Sequence, residues 1–343
     1  MYINDPIHGL IEITPLAKQI IDTPEFQRLR YIKQLGLSSY VYPSATHTRF
    51  EHSLGVYHLA KLVVKDELIS IAGLCHDLGH GPLSHTYEHW LRRKGINFNH
   101  EEMSLKVLDK LIDNNGIDID GDDLKYIKRI MTGDGCGIIC NKSNSLDVDK
   151  LDYISRDGYM TGIDTYRPER IIRFMKLIND DMYFPVKDAY NIYELYHTRY
   201  RMFKTVYTHR VCRAIEYMLF DILDKVDVEF GISSAIDDID RYIKLNDNIL
   251  YVVELKYSSL FDRLRRRNIY KLVKEYIDNV DSSVDLYRKD DRYIIDEFTL
   301  DYGLGNKNPL EYIKFIDKYN NLVKPNILLP SKFIERYVRV YSR

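Results

Sequence analysis

The chain has 343 residues, 45% hydrophobic and 29% charged, with a net charge of −2. That size suits one large domain or a domain and a half, and the charge balance supplies no basic field for nucleic acid. No apolar run approaches the ~20 residues of a membrane span, the first six residues lack the features of a signal peptide, and four cysteines do not make a disulfide framework. A reducing cytosolic or nuclear compartment is expected.

The N-terminal segment reads as a short extended lead at Ile11-Glu12-Ile13, followed by a helix. Thr23-Pro24-Glu25-Phe26 offers an N-cap, a proline at the first helical position and an acid in the first turn. Phe26, Leu29, Ile32 and Leu35 continue at helical spacing. Arg28, Arg30 and Lys33 read as a solvated basic face, with phosphate binding as the alternative. A second helix is predicted over 46–66, where His52, Val56, Leu59 and Val63 form one stripe. His52 therefore faces inward among aliphatics. Alone it would be a satisfied core residue; with the cluster that follows it becomes a ligand candidate. Arg49, one turn earlier, can reach an anion bound at a metal.

That cluster is His76-Asp77-Leu78-Gly79-His80-Gly81-Pro82-Leu83-Ser84-His85, and the lead-in from Ile69 to Cys75 is almost wholly apolar. Burying His and Asp without partners costs several kcal/mol, and a metal ion is the obvious partner. His80 is expected one turn after His76 on the same helical face, with Gly79, Gly81 and Pro82 ending the helix so that His85 folds back. His8, His47, His52, His58, His76, His80, His85, His89 and His100 crowd the first hundred residues, out of 11 histidines in all. The N-terminal third therefore carries the chemistry.

A helix follows His100, with Glu101 a candidate to orient a histidine. The acidic run 118–123 lacks calcium-loop spacing and reads as a solvated surface loop. Cys136 and Cys140 read as ordinary thiols in a Gly-rich loop over 133–145. If Val148 to Gly158 is helical, Asp149, Tyr153, Arg156 and Asp157 share one side, with Lys150 beside them; a solvated helix has the same charge density. One long helix is expected over 189–225, striped by Arg199, Phe203, Tyr207 and Arg210, which suits a phosphate and sugar or a subunit interface equally. Beyond it the pattern turns mixed, with β-like runs at Ile249–Leu255 and Tyr293–Phe298 and a basic knot from Arg263 to Arg267.

His52, His76, Asp77 and a later Asp form a nitrogen and oxygen donor set, suited to iron, zinc, manganese or cobalt rather than calcium. Such an ion with Arg and Lys around it points to phosphate-ester hydrolysis. There is no P-loop motif.

His52, then His76-Asp77, then Asp149 is similar to the signature of HD-domain phosphohydrolases. Asn4-Asp5-Pro6-Ile7-His8-Gly9, the segments 26–36 and 49–56, Asp147-Val148-Asp149-Lys150, Asp301-Tyr302-Gly303 and Arg339-Val340-Tyr341 resemble the sterile-alpha-motif/HD-domain deoxynucleoside triphosphate triphosphohydrolases. The resemblance covers nearly the whole chain, without the sterile-alpha-motif domain. It implies a mainly α fold: an HD helical core over 1–225 and a smaller mixed α/β lobe over 226–343. It implies release of inorganic triphosphate from dNTPs. The metal (Fe, Zn or Mn) would be held by His52, His76, Asp77 and Asp149, with Mg2+ accompanying the substrate. His80, His85 and His100 would handle protons and phosphate, His85 protonating the leaving group. Arg49, Lys150 and Arg199 would face the phosphates. Tyr153 and Asp157 would hold the 3′ hydroxyl, Leu35 and Tyr207 would exclude ribose, and Gln34 would lie near the sugar. The family's tetramer is activated by GTP or dGTP at a site that Asn4, Asp22, Gln27 and Arg30 match in part. The segment completing that site is shortened around 281–292, so weaker activation of a dimer or tetramer is expected. Phe203 and Thr208 replace a histidine and a glutamine of the family, which leaves base preference open.

Two other readings compete. An HD-type nucleoside monophosphatase or cyclic-nucleotide phosphodiesterase would keep the metal, and three cations facing the metal favour a triphosphate over it. A non-enzymatic nucleotide or nucleic-acid binder would use the Arg263–Arg267 knot, and would have no need of intact metal ligands.

Overall fold

A computed structural model, which describes residues 1–164, 166–179 and 181–343, opens on a hairpin. Strands β1 (Tyr2–Asp5) and β2 (Gly9–Glu12) pair antiparallel, so the lead is two strands, not one. Thr14 caps α1 (Pro15–Ile21), and Thr23 caps α2 (Pro24–Gln27) as its sequence predicts. The predicted continuation of α2 to Leu35 fails. A 3-10 turn takes over at Arg28–Tyr31, and Ile32 is extended. The cause is tertiary: the backbone of 32–34 pairs with 47–49, through Arg49 N to Ile32 O and Gln34 N to His47 O.

The helical core follows in order. Helix α3 (Arg49–Val63) starts at Thr48, whose backbone N–H donates to Glu51. Helix α4 (Glu67–Cys75) is capped by Asp66. α5 (His85–Arg93), α6 (His100–Asn115), α7 (Gly121–Met131) and α8 (Val148–Thr161) follow. The acidic run is thus partly helical, with Asp120 as the N-cap of α7. α8 begins at the Asp147 cap and ends at Gly162 in the left-handed region (φ 70°) that glycine tolerates.

α9 (Glu169–Phe174), β3 (Lys176–Ile178) and β4 (Asp181–Pro185) lead to α10 (Ala189–Met202) and α11 (Arg210–Phe230). The single helix expected over 189–225 is two, separated by a π turn at Phe203–Tyr207. The expected boundary at 225 falls inside α11. α12 (Ile239–Tyr242), α13 (Asn248–Lys256) and α14 (Ser258–Arg265) come next. The β-like run Ile249–Leu255 is helical, because Ile249, Leu250 and Val253 meet the core at helical spacing while Tyr251, Val252 and Leu255 stay exposed. β5 (Lys271–Ile277), α15 (Val284–Arg288), β6 (Tyr293–Asp301), β7 (Lys314–Ile316), β8 (Leu322–Val323) and β9 (Ile334–Ser342) complete the chain. β9 lies between β5 and β6, antiparallel to both, and β4 pairs parallel with β7. With 52% helix and 14% strand the fold is mainly α, with its larger sheets in the C-terminal half. One continuous apolar cluster reaches from Ile11 to Tyr341, so the mixed lobe packs onto the helical core. Among the described residues, no helix is long and apolar enough to cross a membrane.

Candidate active site

The apolar residues of α4 bury the helix completely from Ile69 onward and deliver His76 at its C-cap. The helix stops there, earlier than predicted. His80 therefore does not share a helical face with His76; it sits on a turn and reaches the site from another direction. The turn is held from three sides. Arg28, buried rather than solvated, donates to the carbonyls of Leu78 (2.8 Å) and His80 (2.7 Å). Tyr242 donates to Gly79 O at 2.6 Å. Asp247 accepts from Leu83 N at 2.6 Å and Lys33 N at 3.0 Å. Leu83 and Ser84 have positive φ (60° and 57°), backbone strain that this bracing sustains at the site.

Gly79 lets α6 come close: a Cβ there would stand 2.2 Å from His100 O and from Ser104 N. Backbone cannot yield as a side chain can. Gly79→Ala is expected to destabilise the fold by about 1–3 kcal/mol in urea unfolding. A neutral result would show that α6 is free to shift.

The metal candidates converge from α3, α4 and α8. His52 Nδ1 lies 2.7 Å from Asp152 Oδ2, and His76 Nδ1 lies 2.7 Å from Gly73 O. Both partners accept, so Nδ1 carries the proton on each ring and Nε2 offers a lone pair. Among the described residues, the two buried Nε2 atoms have no hydrogen-bond partner. They stand 3.0 and 3.6 Å from Asp149 Oδ1, and these three donors lie within 4.8 Å of one another. Asp77 borders the trio, its oxygens 3.5 Å from His52 Nε2 and 3.3 Å from His76 Nε2. Such spacings match donors sharing one ion at ~2.0–2.2 Å. Burial alone would lower the His52 pKa, but the carboxylate of Asp149 beside Nε2, the Nδ1 hydrogen bond to Asp152 and the charge of Asp77 push it up to about 10. The carboxylates around this ring demand a positive charge at Nε2, which a divalent ion supplies. Donor set and charge both fit a resident metal.

A second histidine group stands beside the first. His80 stacks on His100 with ring centroids 4.1 Å apart, and His85 meets both edge-on. Glu88 joins them: its Oε2 lies 3.3 Å from His85 Nδ1 and 3.2 Å from His100 Nδ1. Glu88, not Glu101, orients these histidines. Its position three residues after His85 was the available signal. Burial works against the Glu88 charge, but hydrogen bonds from His100 and His85 hold it well below the usual range.

Arg49, Lys150 and Arg199 line the same cavity, of about 1310 Å³, together with His76, Asp77, His80, His85, His100, Asp149, Gln34, Leu35, Tyr153, Asp157 and Tyr207. Arg49 pairs with Asp77 at 2.7 Å, Lys150 with Asp147 at 3.0 Å, and Arg199 with Asp301 at 3.2 Å. Tyr207 donates to Asp157 Oδ2 at 2.7 Å, and His47, which sequence reading left unassigned, holds Asp157 Oδ1 at 2.7 Å. Of the activator candidates, Gln27 accepts from Arg30 at 2.7 Å and donates to Ile21 O at 2.7 Å; Asp22 pairs with Lys18, and Asn4 lies opposite Leu10 in the hairpin.

A half-buried His and Asp donor group from three helices, backed by cations in one cavity, defines a metal-dependent phosphohydrolase of the HD type. The HD domain family model matches residues 49–157, and the HD associated region matches 163–307. The chain is similar to the deoxynucleoside triphosphate triphosphohydrolase SAMHD1 homolog of Dictyostelium discoideum, 37% identical over 99% of this chain and 77% of the relative. It is also similar to human deoxynucleoside triphosphate triphosphohydrolase SAMHD1, 34% identical over 99% of this chain and 70% of that protein. A putative HD domain-containing protein of Acanthamoeba polyphaga mimivirus, L394, is 32% identical over 91% and 84% of the two chains. The chain belongs to the SAMHD1 family of HD-domain deoxynucleoside triphosphate triphosphohydrolases.

Proposed function

We propose that this protein hydrolyses dNTPs to the deoxynucleoside and inorganic triphosphate, at a metal held by His52, His76, Asp77 and Asp149. The observation carrying this reading is that one cavity brings metal donors, three cations and a walled sugar recess together. Iron, zinc or manganese is the expected ion, with Mg2+ on the triphosphate. A divalent ion held by these residues would supply an acidified water and a Lewis acid for a phosphoryl oxygen. Arg49, Lys150 and Arg199 offset phosphate charge as it develops in the transition state. They come to the substrate from pairs with Asp77, Asp147 and Asp301. His85, half exposed to the cavity with Nδ1 towards Glu88, presents Nε2 to the leaving 5′ oxygen and gives it a proton. His80 and His100 contact phosphate beside it.

Tyr207 is anchored on Asp157, so its ring cannot retreat from a 2′ hydroxyl; Leu35 closes the recess. Asp157 keeps one lone pair on each oxygen for the 3′ hydroxyl, alongside Tyr153, and Gln34 lies by the sugar. Rejecting ribose needs only this clash. Separation of products on anion exchange from a nucleotide panel is expected to show triphosphate released from dATP at least ~10-fold faster than from ATP, in keeping with 1.36 kcal/mol per decade. Equal rates would refute the recess, and release of monophosphate or no product would favour the competing readings. Against a nucleic-acid docking patch, most of the basic knot is spent locally: Arg263 donates to Asn268 O, Arg265 bonds Glu254 and Asp262, and Arg267 donates to Tyr40 O.

Asn4, Asp22, Gln27 and Arg30 are proposed as part of an activator site for GTP or dGTP. A ligand shifts assembly only by its differential affinity for the assembled form. With the completing segment short, a dimer at rest and partial tetramer with GTP is expected from light scattering. A complete GTP-driven tetramer without basal activity would refute this.

A further inference from the structure

We infer that His8 and Asp152 are positioning residues of the metal centre, and that the turn of the N-terminal hairpin sets the aim of His52. The inference rests on the proposed ligand role of His52. Asp152 is fully buried, on the Nδ1 side of that ring and away from the donor trio. Its oxygens are saturated. Oδ2 accepts from His52 Nδ1 (2.7 Å) and Arg156 Nε (3.0 Å). Oδ1 accepts from His8 Nε2 (2.6 Å) and Arg156 (2.9 Å). A carboxylate has about four acceptor sites, so none remains for an ion. Asp152 is therefore no metal ligand, and its work is on His52: it holds the proton on Nδ1 and the lone pair on Nε2.

What holds Asp152 comes from the other end of the chain. Asp5 accepts from Ile7 N and His8 N, both at 2.9 Å, and so shapes the turn that presents the His8 ring. The second Asp5 oxygen pairs with Arg156 at 2.7 Å. Turn, guanidinium and carboxylate form one closed network against the back of α3. Gly55 admits it: a Cβ there would lie 1.8 Å from Asp152 Oδ1. Partners behind a metal-bound histidine typically change metal affinity ~10–100-fold when removed.

The test uses the full chain stripped of metal by chelation and titrated with Co2+. Affinity is read by competition with a chelating dye, and geometry by the visible cobalt spectrum. His8→Leu is expected to weaken Co2+ binding about 10-fold and shift the spectrum, Asp152→Asn to weaken it further, towards 100-fold, and His8→Gln, which still donates, to recover part of the loss. Unfolding of each metal-free variant is followed in parallel, since a purely structural role would lower stability and leave Co2+ affinity and spectrum untouched. That result overturns the inference. If Asp152→Asn does not fold, the two His8 variants decide. Wild-type protein that takes up no Co2+ overturns the ligand set and this inference with it; wild-type uptake with unchanged variants overturns this inference alone.

Discussion

His76→Ala combined with Asp77→Ala is expected to lose both bound metal and triphosphate release. His76 contributes a buried Nε2 to the donor trio, and Asp77 brings a carboxylate to within 3.3–3.5 Å of both histidine Nε2 atoms. Removing both leaves His52 and Asp149, too few donors for a tight transition-metal site. A bound metal is worth several kcal/mol of transition-state stabilisation, and at 1.36 kcal/mol per decade that is a loss of ~10³-fold or more. Metal analysis of the purified variant alongside rates on a dNTP panel checks both halves. Unchanged metal content would refute the ligand assignment.

The largest effect on stability is expected from Arg156→Met. Arg156 is 1% exposed and bridges two buried carboxylates, Asp5 at 2.7 Å and Asp152 at 2.9 Å. The replacement fills similar volume but takes from both carboxylates the guanidinium they share, and breaking a buried pair from one side typically costs about 3–5 kcal/mol. Urea unfolding of the metal-free protein measures this. A loss under ~1 kcal/mol would mean that the two carboxylates take up protons or water at little cost. Replacing all three partners with apolar residues is expected to restore part of the stability, because the penalty lies in the unpaired charges.

Local chemistry made much of the scaffold legible. Thr23 announces a helix start by type alone, since its side-chain oxygen satisfies a free backbone N–H, and the structure shows Asp147, and Thr48 with a Glu reaching back, opening helices by the same chemistry. The density of histidines after an apolar run located the site, because such residues are not buried without partners. Periodicity misled where long-range bonds compete with it. Ile32 fits a helical stripe, yet its carbonyl is taken by Arg49 N. Arg28 has the composition of a surface residue, yet it serves carbonyls fifty residues on. Arg199 and Tyr207 fit one long helix that a π turn in fact divides.

Sequence by itself determined the donor chemistry, the helical character of the core and, through its motifs, the family. Which carboxylate serves which histidine was decided only by tertiary structure. Glu101, beside His100 in sequence, was the carboxylate expected to orient a histidine, but α5 and α6 pack with Glu88 between His85 and His100. Asp149 and Asp152 are three apart on one helix, yet one faces the metal donors and the other the back of His52. The side of an imidazole that each carboxylate meets depends on how α8 lies across α3, and helical spacing along one chain segment carries no information about that crossing.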